Sequence, residues 1–123
     1  MAELIDLKTF TDKRGNLTVI ERIIPFEVKR IFYIYGVDKS VRGGHRHKTT
    51  IQAAICLKGS CRIYNNNGNE EEYFHLNQPN KCLILQPKDW HTMDQFSEDA
   101  ILMVLASEYF DANDYIFEPY KND

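Results

Sequence analysis

The sequence predicts an all-β fold, a sandwich or small barrel, from three observations: short β-rich runs at regular spacing, turn signals between them, and no convincing helical periodicity. The run at 17–21 carries the β-branched Thr18, Val19 and Ile20, and the run at 28–35 mixes β-branched residues with aromatics, placing Tyr33 and Tyr35 on one strand face. Residues 51–57 are almost continuously apolar, as a buried strand requires. The runs 61–64 and 72–76 flank Asn65-Asn66-Asn67-Gly68, where Asn-Gly tolerates the positive φ angles of a hairpin turn. Residues 81–85 follow as another strand. The run 101–106 is apolar enough for a helix, but Ile101, Val104 and the lack of caps favour a buried strand. Beyond it, Asp111-Ala112-Asn113-Asp114 has N-cap chemistry suited to one short helical turn.

A chain of 123 residues is sized for one compact domain with a real core, and no repeat, linker or low-complexity tract divides it, so a single domain over 1–123 is expected. Charged residues Glu3, Asp6 and Lys8 interrupt the N-terminal segment, which reads as neither signal peptide nor membrane span, and a cytoplasmic location follows. A net charge of −3 with interspersed signs argues against a general nucleic-acid or membrane surface, while leaving room for one small anionic ligand. Cys56, Cys61 and Cys82 are odd in number and lie in strand-like apolar runs, which suits reduced, buried thiols.

The run Arg42-Gly43-Gly44-His45-Arg46-His47-Lys48 is the chain's main chemical feature. In an extended strand His45 and His47 share a face, and Arg46 between them points away. Such a pair serves a metal site or acid–base work equally well. His75, between Phe74 and Leu76, reads as an outward strand residue without a role.

The spacing from His47 through Gln52 to Gly59 resembles the first cupin motif, with glutamine where that motif has its metal-binding glutamate. Pro87-Lys88-Asp89-Trp90-His91, followed by Gln95, resembles the second, with a proline-to-histidine gap one residue short. The resemblance implies a cupin-like β-barrel (jelly roll) with His45, His47 and His91 facing inward. Three imidazoles still allow zinc, but Gln52 removes a negative charge, and Arg42, Arg46 and Lys48 would repel a divalent cation if they turned inward. No metal or other cofactor is expected.

A further resemblance covers nearly the whole chain. Asp12-Lys13-Arg14-Gly15-Asn16-Leu17, Ile20-Glu21, Pro25-Phe26, Lys29-Arg30-Ile31-Phe32-Tyr33-Ile34, the histidine run, Trp90-His91 and Val104-Leu105-Ala106-Ser107-Glu108-Tyr109-Phe110-Asp111 are similar to the sugar 3,4-ketoisomerases. That family moves the ketone of dTDP-4-keto-6-deoxyglucose from carbon 4 to carbon 3, ahead of aminotransfer and acylation, for deoxyaminosugars of bacterial surface polysaccharides. The resemblance implies a dTDP-linked keto sugar as partner and a homodimer with exchanged N-terminal strands. It also implies His45 and His47 as the catalytic pair, His47 being preferred as the base at the sugar carbons. The surrounding candidates for substrate binding are Arg14, Tyr33, Tyr35, Arg42, Lys48, Gln52 and His91.

This chemistry suits the residues. A ketone shift needs a proton taken from carbon 3 and one delivered to carbon 4 through an enediol or enediolate, and a histidine titrating near neutrality can do both. Arginine or a phenol near the ketone oxygen stabilises the developing negative charge, and arginine's planar fork matches a phosphate. A metal-dependent cupin enzyme, a non-catalytic nucleotide-sugar-binding cupin and a nucleotide-sugar 3,5-epimerase are the competing readings.

Overall fold

The computed structural model of the chain describes residues 2–121. Met1, Asn122 and Asp123, the ends of the expected 1–123 domain, lie outside the described residues. Every strand pairing is antiparallel. One five-stranded sheet runs β1 (Glu3–Asp6), β9 (Lys81–Leu85), β6 (Gln52–Lys58), β11 (Ile101–Ala106), β4 (Arg30–Ile34). The second runs β12 (Tyr115–Ile116), β5 (Arg42–His47), β10 (Trp90–Asp94), β7 (Cys61–Asn66), β8 (Glu71–Leu76). A separate hairpin joins β2 (Lys8–Asp12) to β3 (Gly15–Val19). The all-β expectation holds, and the barrel takes the form of a jelly-roll-like pair of sheets that do not close on each other.

Period-two alternation explains why the first sheet is so deeply buried. Ala54 and Cys56 of β6, Leu83 and Leu85 of β9, and Leu102 and Val104 of β11 face the second sheet, where they meet Ile63, Phe74, Leu76 and Met93. The intervening Ala53, Ile55, Cys82, Ile84 and Leu105 pack on the opposite side, under Leu7, Ile24 and Phe26. With both faces covered, β6 reads as a continuous apolar run rather than an alternating one. Each fully buried isoleucine or leucine here stabilises the fold by roughly 2–3 kcal/mol.

The runs 81–85 and 101–106 coincide with β9 and β11, and the other predicted strands are found with ends shifted by up to two residues. The hairpin turn lies two residues later than its sequence signal: Asn65 and Asn66 extend β7, and the chain reverses over 67–70 with Gly68 at φ +96°. β1, β2 and β10 went unread because charged or polar residues dilute their apolar content. The short helical turn is a 3-10 turn, Ala112–Asp114, capped by the Asp111 carboxylate accepting from the Asn113 N–H. All three cysteines are free and buried, as expected.

Among the described residues, several large apolar side chains remain uncovered, and two groups of them bear on assembly. On edge strand β4, Ile31 and Tyr33, with Tyr35 just beyond its end, form an exposed outer face. Phe10 and Leu17, facing each other across the β2–β3 hairpin, are likewise exposed.

Candidate active site

The space between the two sheets turns polar at one end. The same inward parity that buries Ala54, Ile63 and Met93 carries Gln52 in from β6, Asn65 from β7 and His91 from β10. His91 is paired with Asn65 on one side and with His45 on the other. His45 reaches that register through a bulge: between His91–His45 and Thr92–Gly43, strand β5 spends one extra residue, Gly44. Gly43 and Gly44 have φ of +83° and +81°, and a Cβ on Gly43 would lie 3.0 Å from the His91 carbonyl oxygen. The bulge also lets Arg42, paired with Met93, line the same space as His45, although the two are three positions apart and strict alternation would set them on opposite faces.

The three imidazoles cluster tightly. Ring centroids of His45 lie 5.0 Å from His47 and 4.9 Å from His91, and those of His47 and His91 are 6.3 Å apart. Tyr115 of β12 packs 4.7 Å from both His45 and His47. His91 is 1% exposed and its Nδ1 donates to the Asp89 carbonyl at 3.0 Å. His47 is 4% exposed and its Nδ1 meets an Asp114 carboxylate oxygen at 3.0 Å. Because a carbonyl and a carboxylate only accept, both neutral rings carry their proton on Nδ1 and leave Nε2 as a bare acceptor. Among the described residues neither Nε2 has a partner, nor has the buried Gln52 Oε1.

Burial, reinforced by the neighbouring His91, pulls the pKa of His45 down to about 4, and burial pulls His91 down to about 4. His47 is lowered by burial and by His45, while Asp114 works in the opposite direction. All three histidines are therefore neutral at pH 7 and free to accept a proton. Burial pushes the Asp114 carboxyl up, but hydrogen bonds from Thr50, Thr49 and His47 outweigh it and hold the group below the usual carboxylate range.

A cavity of about 280 Å³ opens on this cluster, lined by Arg30, Phe32, Tyr33, Arg42, His45, Gln52 and Tyr115 among others. Of the candidates named from sequence, the structure brings Arg42, His45, Gln52 and Tyr33 to its wall. His47 and His91 stand behind His45 as its ring neighbours. Tyr33 is 62% and Tyr35 68% exposed; the two rings stack at 5.7 Å, and Tyr35 lines a neighbouring pocket with Arg42 and Ser40. Lys48 is exposed and does not line the cavity. Arg14 lies at the tip of the β2–β3 hairpin with its side chain 85% exposed and paired to Asp12, so within one chain it does not line the histidine cavity either. Arg46 turns away from His45, its guanidinium 4.1 Å above the Tyr120 ring and donating to the Tyr120 hydroxyl.

Sequence reasoning missed Arg30, Tyr115 and Asp114. Arg30 shares the inward parity of Phe32 and Ile34, and its guanidinium lies 4.6 Å from the Phe32 ring. That parity was readable, but beside Lys29 the arginine looks like part of a solvated charge pair. Among the described residues, no group of three His, Cys, Asp or Glu side chains is arranged as a metal-ligand set.

The FdtA family, described as WxcM-like, C-terminal, matches residues 1–122. A TDP-4-oxo-6-deoxy-alpha-D-glucose-3,4-oxoisomerase from Aneurinibacillus thermoaerophilus is 42% identical over 117 residues, covering 93% of this chain and 84% of that protein. Among solved structures, a mutant of the 3,4-ketoisomerase QdtA from Thermoanaerobacterium thermosaccharolyticum, in complex with TDP-4-keto-6-deoxyglucose, superposes with a TM-score of 0.91. It is 45% identical, over 95% of this chain and 87% of that one. The TDP-quinovose 3,4-ketoisomerase WlaRB from Campylobacter jejuni gives a TM-score of 0.91 at 38% identity, over 95% and 92% of the two chains. A dTDP-4-dehydrorhamnose 3,5-epimerase from Bacillus anthracis, 15% identical with a TM-score of 0.81, shares the fold.

Proposed function

The chain belongs to the FdtA family, and from that premise we propose that it is a 3,4-ketoisomerase of a dTDP-linked sugar, moving the ketone of dTDP-4-keto-6-deoxyglucose from carbon 4 to carbon 3. The observation that carries the reading is the cluster of three neutral histidines, two of them with bare Nε2 atoms, beside a cavity walled by Arg30 and Arg42.

In this mechanism His47 Nε2, which is buried behind His45 and is reached by the sugar only past that ring, takes the proton from carbon 3. The electron pair of that C–H bond forms the carbon 3–carbon 4 double bond, and the carbon 4 carbonyl pair moves onto its oxygen, giving an enediolate. Arg30 and Arg42 lie where they would offset that negative charge. Collapse of the enediolate from oxygen 3 re-forms a carbonyl at carbon 3, and the proton returns to carbon 4. The hydroxyl proton leaves oxygen 3 and appears on oxygen 4, with His45, on the cavity wall, as the group that handles it. Hydrogen and electrons balance without a redox partner or metal. A base must be unprotonated to act, and the lowered pKa values keep these rings neutral at pH 7.

The working unit in this reading is a homodimer in which the β2–β3 hairpin is exchanged. The exposed apolar residues of the hairpin and the uncovered outer face of β4 support it, since each leaves large side chains in water within one chain. Exchange would also deliver Arg14 to a partner's cavity. The three free cysteines suit a cytoplasmic setting, and among the described residues no helix is long and apolar enough to cross a membrane.

His47→Asn tests the roles. The variant is expected to fold and to bind dTDP while losing turnover by at least about 100-fold. A folded variant with unchanged rate would overturn the assignment of His47.

A further inference from the structure

The 3-10 turn that the sequence marks by its capping residues ends on Asp114, which the reaction as described leaves without a task. Its surroundings are unusually complete for one carboxylate. Oδ1 accepts from the Thr49 N–H at 2.9 Å and the Thr49 hydroxyl at 2.8 Å. Oδ2 accepts from the Thr50 N–H at 3.3 Å, the Thr50 hydroxyl at 2.5 Å and His47 Nδ1 at 3.0 Å. The backbone is fixed as well, with the Lys48 N–H donating to the Asp114 carbonyl and the Asp114 N–H to the Asp111 carbonyl. Four of the five donors to the carboxylate are threonine N–H and O–H groups that cannot become cations, so they stabilise its anionic form without neutralising it. The charge is left for the one partner able to become a cation.

That partner is His47 alone. The Nδ1 of His91 meets only the Asp89 carbonyl, a dipole rather than a charge. The groups around His47 are His45 on its own strand, His91 on β10, Tyr115 on β12, Arg30 on β4 and Asp114 on the turn. Of these, Asp114 is the anion, whereas His45 and Arg30 disfavour a positive His47. An imidazolium on His47 is therefore compensated in a way that one on His45 or His91 is not.

We infer that Asp114 is a positioning residue that selects His47, out of three clustered histidines, as the carrier of the transferred proton, by fixing its Nδ1–H tautomer and pairing with its cationic form. The inference rests on the ketoisomerase reading for its catalytic meaning, but its structural half can be read on the protein alone.

The test uses the intact protein labelled with 15N-histidine, observed by long-range 1H–15N correlation without substrate, together with steady-state kinetics. Wild-type His47 is expected as the Nδ1–H tautomer. In Asp114→Asn, which keeps size and loses charge, that tautomer gives way to a mixture or to Nε2–H. kcat falls by about 100-fold with KM changed by no more than about 3-fold, and the acid limb of kcat moves to lower pH because His47 becomes less basic. An Asp114→Asn enzyme with kcat within about 3-fold of wild type, or with His47 still held in the Nδ1–H form, would overturn the inference. Thr50→Val and Thr50→Ser carry the test should the Asp114→Asn substitution disturb folding. The valine variant strips one donor from the oxygen that meets His47 and lowers kcat by about 10-fold, the serine variant restores it, and equal kcat in the two would count against the role. A wild-type enzyme inert toward the keto sugar would instead sink the ketoisomerase reading, leaving the tautomer measurement legible.

Discussion

Acidifying the protein from pH 7.5 to 4.5 loads a proton onto unfolded chains that the folded state resists at His91. The ring is 1% exposed, its Nδ1 is committed to the Asp89 carbonyl, and no anion touches it. Burial, only partly offset by that carbonyl, brings its pKa from 6.5 to about 4. The folded pKa lies below the unfolded one, so the stability linked to neutral His91 is fully present above pH 6.5 and drains away as pH falls through the interval to about 4. At roughly 1.4 kcal/mol per pH unit, that interval comes to about 3 kcal/mol, most of it lost by pH 4.5. Asp114, whose carboxyl is held below the ordinary range, draws on a separate window beneath pH 3.8. His45 and His47 contribute in the same direction and stay in both proteins, with burial the main cause for each; His45 loses only the lesser part of its shift that His91 supplies. Urea unfolding of wild type and His91→Gln at both pH values, at one protein concentration, isolates the contribution. The variant starts lower at pH 7.5 but should lose about 2–3 kcal/mol less on acidification than wild type. Equal losses in the two proteins would refute the reasoning.

Two further outcomes are expected. If the β2–β3 hairpin is exchanged, Arg14→Ala should weaken substrate binding by about 10-fold or more. Random pairing of equal amounts of Arg14→Ala and His47→Asn chains should then restore roughly a quarter of wild-type sites at low substrate, because each mixed dimer assembles one intact site. No recovery on mixing would mean that Arg14 acts within its own chain or not at all. Exhaustive chelation should leave turnover unchanged, since proton transfer between carbons needs no Lewis acid in this scheme; activity lost to chelator and regained with zinc or another divalent ion would replace it with metal chemistry.

Much of the architecture was legible because burial is written as periodicity. The continuous apolar stretch at β6 signalled a strand covered on both faces, and Ile101 and Val104 separated β11 from a helix. Strands β1 and β10 were not legible, since Glu3-Leu4-Ile5-Asp6 and Trp90-His91-Thr92-Met93-Asp94 are held by pairing to neighbours more than by their own composition. The histidine pair was readable as two residues on one face. The bulge at Gly44, which aligns Arg42 with His45, depends on register against β10 and has no signature beyond a paired glycine. Asp114 was beyond local reading because its contact with His47 spans 67 residues, and its acidic neighbours looked like the cap of a surface turn. The pattern also ranked Tyr33 and Tyr35 level with Arg42, whereas parity turns Arg30 inward and leaves both tyrosine rings largely exposed, Tyr33 at the rim of the cavity and Tyr35 beside a neighbouring pocket.

The central claim is that histidines here move a proton between adjacent carbons of a nucleotide-linked keto sugar. It is tested most directly by incubating the protein with dTDP-4-keto-6-deoxyglucose in D2O and following the sugar by NMR. The account predicts a 3-keto product formed by wild type and abolished in His47→Asn, with deuterium at carbon 4 only to the extent that the proton carried by His47 exchanges with solvent before delivery. Unchanged 4-keto sugar without label at carbon 3, from a folded protein that binds dTDP, would contradict it and leave a binding protein in its place.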